Sequence, residues 1–290
     1  LVLWMTFDAI NATGDPTDLS SYGNNGTKAG QASRTNDGRF GSAFQFDGDG
    51  DYVSIQDNGD LDLVGGASGA TISAWVKVND DNIEKFIFHD TWSGDVTRLR
   101  LTITSTEKVL IGARDDSAEG QDTVTTSSAI STGVWHHIVG VYNISGDNLT
   151  IYVDGSIPSQ SGTVGFTNNV FSKDSVMITH IGVDGAPDRF FNGSIDEVLI
   201  FNRSLSHDEI IALYNASAPR YGYGHNFTSL SEGSHNFTGY AVGSGGVTNQ
   251  TGRLTVTVDR TAPYVEFVPP TPDNGSVRGN YVHVNMGSSD

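Results

Sequence analysis

The residues best suited to catalysis in this chain are acidic side chains that recur at every second position. Two carboxyl groups about 5 to 10 Å apart can hydrolyse a glycosidic bond, one as the acid and the other as nucleophile or base. Asp47, Asp49 and Asp51 have the spacing of one strand face, but the glycines between them indicate a turn. A second pair, Asp115 and Asp116, stands in a loop-like segment. We therefore predict no catalytic residues and no enzymatic activity.

A second chemical pattern concerns modification. Asparagine followed two positions later by serine or threonine accepts N-linked glycans, and chance would give about four such sites in this composition. An attached glycan must lie in solvent, so a heavily glycosylated surface is predicted. The alternative is a β-protein rich in serine and threonine whose extra sites are never modified. The acceptors are Asn11, Asn25, Asn143, Asn148, Asn192, Asn202, Asn215, Asn226, Asn236, Asn249 and Asn274.

Charge and cysteine usage limit the possible partners and location. The net charge is −18 with only 16 basic residues, whereas nucleic acids and anionic membranes require clustered basic side chains. No apolar run reaches the roughly 18 residues of a membrane span. The first residues look like a strand and not like a signal peptide, so we expect a mature product or an excised piece. Secreted animal domains usually carry disulfides, and this chain has no cysteine. Glycan acceptors without cysteine therefore indicate an extracellular location on an archaeal or bacterial cell surface.

Short alternating segments predict an all-β fold. Residues 71–78, 137–142 and 149–153 alternate apolar and polar side chains, and glycine- and aspartate-rich turns separate such segments. One short helix is predicted near 206–214, where Ser206 and Glu209 have the spacing of a capping box. Trp75 and Trp135 lie within alternating segments, where an aromatic side chain most often packs in the core.

The order of several motifs resembles a known family. They are residues 22–27 (YGNNGT), 39–48 (RFGSAFQFDG), 133–142 (GVWHHIVGVY), 151–155 (IYVDG) and 191–206 (FNGSIDEVLIFNRSLS). Residues 1–216 thereby resemble laminin-G-like domains of the concanavalin A type, which implies a two-sheet jelly-roll sandwich. Hydrolases of this fold carry a Glu-x-Asp-x-Glu strand, which this chain lacks. We place the jelly roll at 1–218.

The remainder resembles bacterial and archaeal immunoglobulin-like surface repeats. Residues 233–242 (GSHNFTGYAV) and 254–263 (LTVTVDRTAP) carry that likeness. It implies late strands of an immunoglobulin-like sandwich at 219–261, followed by a linker and early strands of such a domain at 262–290. Either these strands are shared with neighbouring units, so that copies join head to tail by strand addition, or the chain is a piece that ends within a domain. Both alternatives remain open.

The jelly-roll resemblance also implies a structural calcium ion. The positions that match its ligands are Asp8, the carbonyl group of Gly41, and Asp196. Carboxylate and carbonyl oxygens are the ligands that Ca²⁺ takes. The alternative is that Asp8 and Asp196 pair with Arg39 or with backbone N–H groups.

Two polar loops are candidates for ligand capture. Residues 89–95 contain Trp92 and Asp95, and residues 183–189 contain Asp184. An indole ring in a loop can stack on a sugar, although a loop tryptophan packed against the sandwich edge is at least as common.

The leading hypothesis from the sequence is a non-catalytic structural or adhesive glycoprotein. It would be a repeating unit of a surface filament, sheath or layer whose partners are copies of itself. The competing hypothesis is a carbohydrate-binding module whose partners are glycans, and a third is a glycoside hydrolase.

Overall fold

The structure is a computed structural model that describes residues 1–56, 61, 69–92, 96–114, 121–165, 178–185, 188–217, 228–238, 240–242, 248–250 and 253–260. The chain divides into two compact units, Leu1–Tyr221 (unit 1) and Gly222–Asp290 (unit 2).

Unit 1 consists of β-strands and one α-helix, with a single 3₁₀ turn at Ile144–Gly146 among the described residues. The helix is α1 (His207–Ser217). The strands are β1 (Leu3–Met5), β2 (Gly26–Ala29), β3 (Ser33–Thr35), β4 (Ala43–Asp47), β5 (Tyr52–Gln56), β6 (Ala70–Val78), β7 (Lys85–Trp92), β8 (Val96–Ile103), β9 (Val109–Ala113), β10 (Asp122–Thr126), β11 (Trp135–Asn143), β12 (Asn148–Val153), β13 (Gln160–Thr163), β14 (Ile178–Ile181) and β15 (Asn192–Phe201).

These strands form two antiparallel sheets. Sheet I has the order β12-β11-β6-β15-β4-β3, and β1 also pairs with β15. Sheet II has the order β13-β10-β9-β8-β7-β14-β5-β2. Neighbours in a sheet are often distant in the chain, as expected for a jelly roll. The predicted all-β sandwich is therefore confirmed.

The alternation within β6 shows how the sheets meet. Ile72, Ala74 and Val76 belong to the core between the sheets, so the intervening Ser73, Trp75 and Lys77 point to the outer face of sheet I, because side chains alternate along a strand. Burying the inward apolar face is the main source of stability in such a sandwich.

Helix α1 covers part of the outer face of sheet I. The backbone N–H of Ser206 donates to Glu209 Oε2 at 2.8 Å, and that of Glu209 donates to Ser206 Oγ at 3.3 Å, so the predicted capping box is present. The hydrogen bond from Arg203 lowers the pKa of Glu209 to about 2. Ile210 is buried against Val139 of β11 and its neighbours. The predicted helix is confirmed, and it continues to Ser217.

Unit 2 contains two two-stranded antiparallel ribbons in its described part. One joins β16 (Gly233–Phe237) to β19 (Leu254–Val258), and the other joins β17 (Tyr240–Val242) to β18 (Thr248–Gln250). In β19 the side chains of Leu254 and Val256 are 63% and 41% exposed. A two-stranded ribbon alone is marginally stable in water.

Candidate functional site

A groove on the outer face of sheet I is the candidate site. It consists of two clefts that share Trp75, one of about 520 Å³ and one of about 490 Å³. The first is lined mainly by apolar side chains, including Trp4, Phe40 and Leu213. The second adds charged groups and Trp135.

The register of neighbouring strands brings the groove residues together. Trp75 on β6 is opposite His137 on β11, and Lys77 is opposite Trp135. Trp4 on β1 is opposite Leu199 on β15. Side chains at opposed and diagonal positions of one sheet face lie within contact distance. The groove is therefore a product of strand pairing, with α1 forming one wall through Leu213 and Ala216.

Trp75 is the centre of an aromatic cluster. The ring centroid of Tyr214 lies 6.0 Å from that of Trp75 at an interplanar angle of 25°, and the His137 ring lies at 5.2 Å. Phe40 meets Trp75 edge-on at 6.3 Å. The guanidinium carbon of Arg39 lies 4.3 Å from the same centroid. These contacts leave Trp75 only 2% exposed.

Of the two tryptophans expected in the core, Trp75 is buried and Trp135 is not. Trp75 is buried, but on the outer face of sheet I and not between the sheets. Trp135 is only half-buried and lines the second cleft. Alternation alone does not tell which face of a strand an aromatic residue occupies, and here the outer face contains a second aromatic layer.

The groove also has partly exposed aromatic rings at its surface. Trp4 is 38% exposed, and its Nε1–H donates to Glu197 Oε2 at 3.2 Å. Lys77 Nζ lies 5.6 Å from the Trp135 ring centroid and also pairs with Asp37 at 2.6 Å. These rings are the parts of the groove that a ligand can contact directly.

Among the residues that the structure describes, three buried nitrogen atoms of the groove have no hydrogen-bond partner: Trp75 Nε1, Arg39 Nε and His137 Nδ1. His137 Nε2 is occupied, since it is 2.8 Å from Ser73 Oγ. Burial lowers the pKa of His137 to about 4, so the ring is neutral at neutral pH. The indole N–H of Trp75 and the guanidinium of Arg39 can donate hydrogen bonds but cannot accept them.

The carboxylates around the groove are each engaged by a donor. Asp154 bonds His136 Nδ1 at 2.7 Å and accepts from the backbone N–H of His137 at 2.9 Å. Although burial alone would raise the pKa of Asp154, these hydrogen bonds lower it. Asp37 is paired with Lys77, and Glu197 accepts from Trp4. Asp37, Asp154 and Glu197 therefore do not form a pair of free carboxylates such as hydrolysis requires.

The predicted calcium ligands meet at one loop. Asp8 Oδ1 accepts from the backbone N–H of Ser42 at 2.7 Å, and the Asp8 carboxylate packs on Gly41, whose φ of +57° favours glycine. Asp196 accepts from the backbone N–H of Phe40 at 3.0 Å. Asp8 and Asp196 thus both contact the segment 40–42, which contains Gly41.

The environment of Asp196 bears on whether a cation fits there. Burial raises its pKa to about 7, and the N–H group of Phe40 opposes that shift. A bulge in β15 follows Asp196, and Glu197 in the bulge has a φ of +48°. The oxygen donors suit a hard cation, but no group of three His, Cys, Asp or Glu side chains stands in a ligating arrangement within the described ranges. Calcium stays a prediction.

Of the other predicted binding residues, Asp184 is described and does not line this groove. Trp92 is the last residue of β7 and not a loop residue, and Asp95 lies outside the described residues. Asp184 is buried, and Arg189 donates to its Oδ2 at 2.8 Å through Nε. That pair continues to Glu84, which lies 2.9 Å from Arg189 Nη1. The structure therefore places Asp184 in an ion-pair network on the side of sheet II.

The acidic run that includes Asp47, Asp49 and Asp51 forms the turn between β4 and β5. Asp49 N–H donates to Asp47 Oδ1 at 2.8 Å, and Asp47 N–H donates to Asp51 Oδ2 at 3.1 Å. These carboxylates therefore stabilise the turn itself. Asp115 and Asp116 lie outside the described residues.

The glycan acceptors differ in accessibility. Asn11, Asn25, Asn148, Asn202, Asn215 and Asn236 are exposed. Asn143 and Asn192 are half-buried, and Asn192 Oδ1 accepts from Asn79 Nδ2 at 2.9 Å. Asn226 and Asn274 lie outside the described residues, and of Asn249 only its place in β18 is described.

A family model confirms the class of fold that the sheets define. The model described as the concanavalin A-like lectin/glucanases superfamily, of the laminin G type, matches residues 47–211. This chain belongs to that superfamily. No curated protein matches the chain in sequence.

Solved structures that resemble the chain include toxin binding domains. The binding domain of Paraclostridial Mosquitocidal Protein 1 has a TM-score of 0.56 at 18% identity, over 74% of this chain and 52% of that one. The binding domain of botulinum neurotoxin DC in complex with rat synaptotagmin II has a TM-score of 0.57 at 16% identity, over 89% and 62%. The same domain in complex with SialylT has a TM-score of 0.56 at 17% identity, over 74% and 51%. The chain thus spans about half to three fifths of these relatives' lengths, and at such identities the likeness concerns the fold.

No helix in the described part of the chain is long and apolar enough to cross a membrane.

Proposed function

We propose that unit 1 is a non-catalytic carbohydrate-binding module that holds a sugar in the groove of sheet I. The observation that carries this proposal is the groove itself, where the partly exposed rings of Trp4 and Trp135 lie beside buried donors that no described residue accepts from. Sugar rings stack on aromatic faces through their C–H bonds, while hydroxyl groups bond to a few fixed polar groups. The groove offers both kinds of contact.

The contacts of the groove favour binding over hydrolysis. Asp37, Asp154 and Glu197 are each engaged by a donor of the protein, whereas hydrolysis needs an acid and a base free to exchange protons. The similar toxin domains are binding domains, one of them in complex with SialylT. This supports a binding role without fixing the ligand.

Paired tryptophan variants test the proposal. Trp4→Ala and Trp135→Ala should each weaken binding to the glycans that the wild type selects on an array, by about 10-fold if each ring stacks on one sugar. Tyr52→Ala, on β5 of sheet II, is the control and should bind as the wild type does. If Tyr52→Ala weakens binding while the two tryptophan variants do not, the site lies on sheet II and the groove proposal is wrong. Thermal melts confirm that each variant is folded.

The setting of this module is also a proposal. We place it outside the cell as a glycoprotein of an archaeal or bacterial surface, with calcium bound by Asp8, Gly41 and Asp196. The exposed acceptor asparagines support glycosylation, and the excess of acidic residues suits a medium rich in divalent cations.

A second candidate function, assembly with copies of itself, rests on unit 2. Leu254 and Val256 of β19 expose apolar side chains on a two-stranded ribbon, which further strands could cover as in an immunoglobulin-like sandwich. We propose that such strands come from a neighbouring copy in a filament or layer. Leu254→Asp should then shift the full chain from oligomer to monomer in sedimentation, whereas Thr255→Asp on the opposite face should not. A wild-type chain that remains monomeric at every concentration contradicts assembly.

A further inference from the structure

Two residues that line the groove, Trp75 and Arg39, have buried donor nitrogens that no described residue accepts from. Trp75 is 2% exposed and Arg39 Nε is buried, and within the described ranges neither Trp75 Nε1 nor Arg39 Nε has a partner. A buried donor without an acceptor destabilises the folded protein, so a ligand that brings an acceptor relieves that cost. Because both groups can only donate, the complementary ligand atom is an oxygen with lone pairs.

The guanidinium of Arg39 is held by rings and not by a carboxylate. It lies 4.3 Å from the Trp75 centroid and 5.4 Å from that of Phe40. No ion pair to Arg39 occurs among the described residues, whereas Arg189 contacts Asp184 and Arg203 contacts Glu209. Stacking fixes the plane of a guanidinium without neutralising its charge. The charge of Arg39 is therefore available to a ligand.

We infer that the groove binds a carboxylated sugar, whose carboxylate is received by Arg39 and Trp75 while its ring lies against the aromatic wall. A carboxylate accepts two parallel hydrogen bonds from a guanidinium, a geometry that a single hydroxyl group does not offer. This inference rests on the proposed function, since it names the class of sugar that the same groove takes.

The charges around the groove limit the ligand further. Asp37, Asp154 and Glu197 line the two clefts, and the chain has a net charge of −18. A dense polyanion such as a sulfated chain would meet repulsion over several residues. A sugar with one carboxylate places its charge at Arg39 alone and leaves its neutral hydroxyls to the acidic rim.

Matched acidic and neutral probes test this inference. Titration calorimetry would use three acids with one carboxylate each: galacturonate against its methyl ester, glucuronyl-glucose against cellobiose, and sialyllactose against lactose. For at least one pair the wild type should bind the acid about 10- to 100-fold more tightly than its neutral partner, the range expected for hydrogen bonds to a charged group. A sulfated glycosaminoglycan should bind no better than the neutral sugars.

Variants of Arg39 and Trp75 test which groups cause the preference for the acidic sugar. Arg39→Gln should abolish the preference for the acid while the neutral partner binds as before, and Arg39→Lys should retain part of it. Trp75→Phe keeps the ring and removes the N–H group, so it should weaken binding of the acid more than that of the neutral sugar. Lys28→Gln removes one positive charge from β2 of sheet II and should change neither. Thermal melts of all four variants show whether a loss reflects unfolding.

The outcomes separate the inference from the proposed function. Binding of neutral sugars that Trp4→Ala weakens, with no preference for any acid and no effect of Arg39→Gln, overturns the inference and leaves the carbohydrate-binding function in place. Binding of no probe and of no array glycan overturns both.

Discussion

The guanidinium of Arg39 and the indole of Trp75 are in contact, with 4.3 Å between the guanidinium carbon and the ring centroid. Tyr214 of α1 stacks on the same indole. Loop residue, strand residue and helix residue thus form one layered cluster on the outside of sheet I. A change in any layer should therefore affect both the stability of unit 1 and the shape of the groove.

Gly155 provides a sharp test of that cluster. It has a φ of +74°, and a Cβ atom there would lie 2.7 Å from Tyr214 Cδ1. Gly155→Ala should cost about 1–2 kcal/mol for the left-handed backbone and about 1–3 kcal/mol more for the overpacked ring. Gly133 has the same φ with open space around it, so Gly133→Ala should show only the backbone cost. Urea unfolding of both variants measures the difference, and equal losses would contradict the packing of Tyr214 on Gly155.

The buried imidazole of His137 predicts a dependence of stability on acid pH. Burial lowers the pKa of His137 from its usual value of 6.5 to about 4. Between these two pH values the unfolded chain therefore binds a proton that the folded chain does not. Stability contributed by the neutral ring is therefore present above pH 6.5 and is lost as the pH falls towards 4.

Comparison with His137→Gln isolates that contribution. Between pH 7 and pH 5 the wild type should lose about 2 kcal/mol more free energy of unfolding than the variant does. Other titrating groups, including Asp196, are present in both proteins and cancel in the difference. Parallel pH profiles for the two proteins would show that His137 is not shielded from protonation.

Calcium should raise the melting temperature of the full chain. A ligand present at 100 times its Kd stabilises the folded state by about 2.7 kcal/mol. Asp196→Asn should abolish the response to calcium, because it removes one of the three predicted ligands. Asp49→Asn, in the turn between β4 and β5, is the control for the acidic run. Thermal melts in calcium and in EDTA compare the two variants. If only Asp49→Asn loses the calcium-dependent rise in melting temperature, the ion binds at the turn. If the wild type melts identically in calcium and in EDTA, no stabilising ion binds.

Glycan occupancy should follow the accessibility of each acceptor. Asn202 is exposed after β15, whereas Asn192 is half-buried and its Oδ1 is bonded to Asn79. Glycopeptide mass spectrometry of the protein from its native source should find a glycan at Asn202 and none at Asn192, since an attached sugar needs solvent around it. A glycan at Asn192 alone would reverse this assignment.

Local patterns in the sequence were sufficient for the class of fold and for α1. The alternation in β6 identifies a strand, and the Ser206–Glu209 spacing identifies the start of the helix, because both depend on neighbours in the chain. The alternation in β6 also indicates on which face of the strand Trp75 lies. Ser73 and Lys77 share a face with Trp75, which indicates an outward aromatic residue and not a core one.

The groove itself depends on contacts that no local pattern contains. Trp4 meets Glu197 only because β1 pairs with β15, and the β15 bulge after Asp196 has no clear signal in the sequence. Strand pairing between distant segments is set by the burial of whole faces. For this reason the loop patterns suggested Trp92, Asp95 and Asp184 as ligand contacts, which stay predictions, and could not indicate that Trp4, Arg39 and Tyr214 line one groove.

The position of α1 has a consequence for chains that end before it. Tyr214 and Leu213 come from the last element of unit 1, and Trp4 comes from the first. A chain that ends at β15 has the described strands of unit 1 but lacks α1, and with it one wall of the recess. If the recess binds a sugar as proposed, a chain that stops at β15 should therefore not bind it.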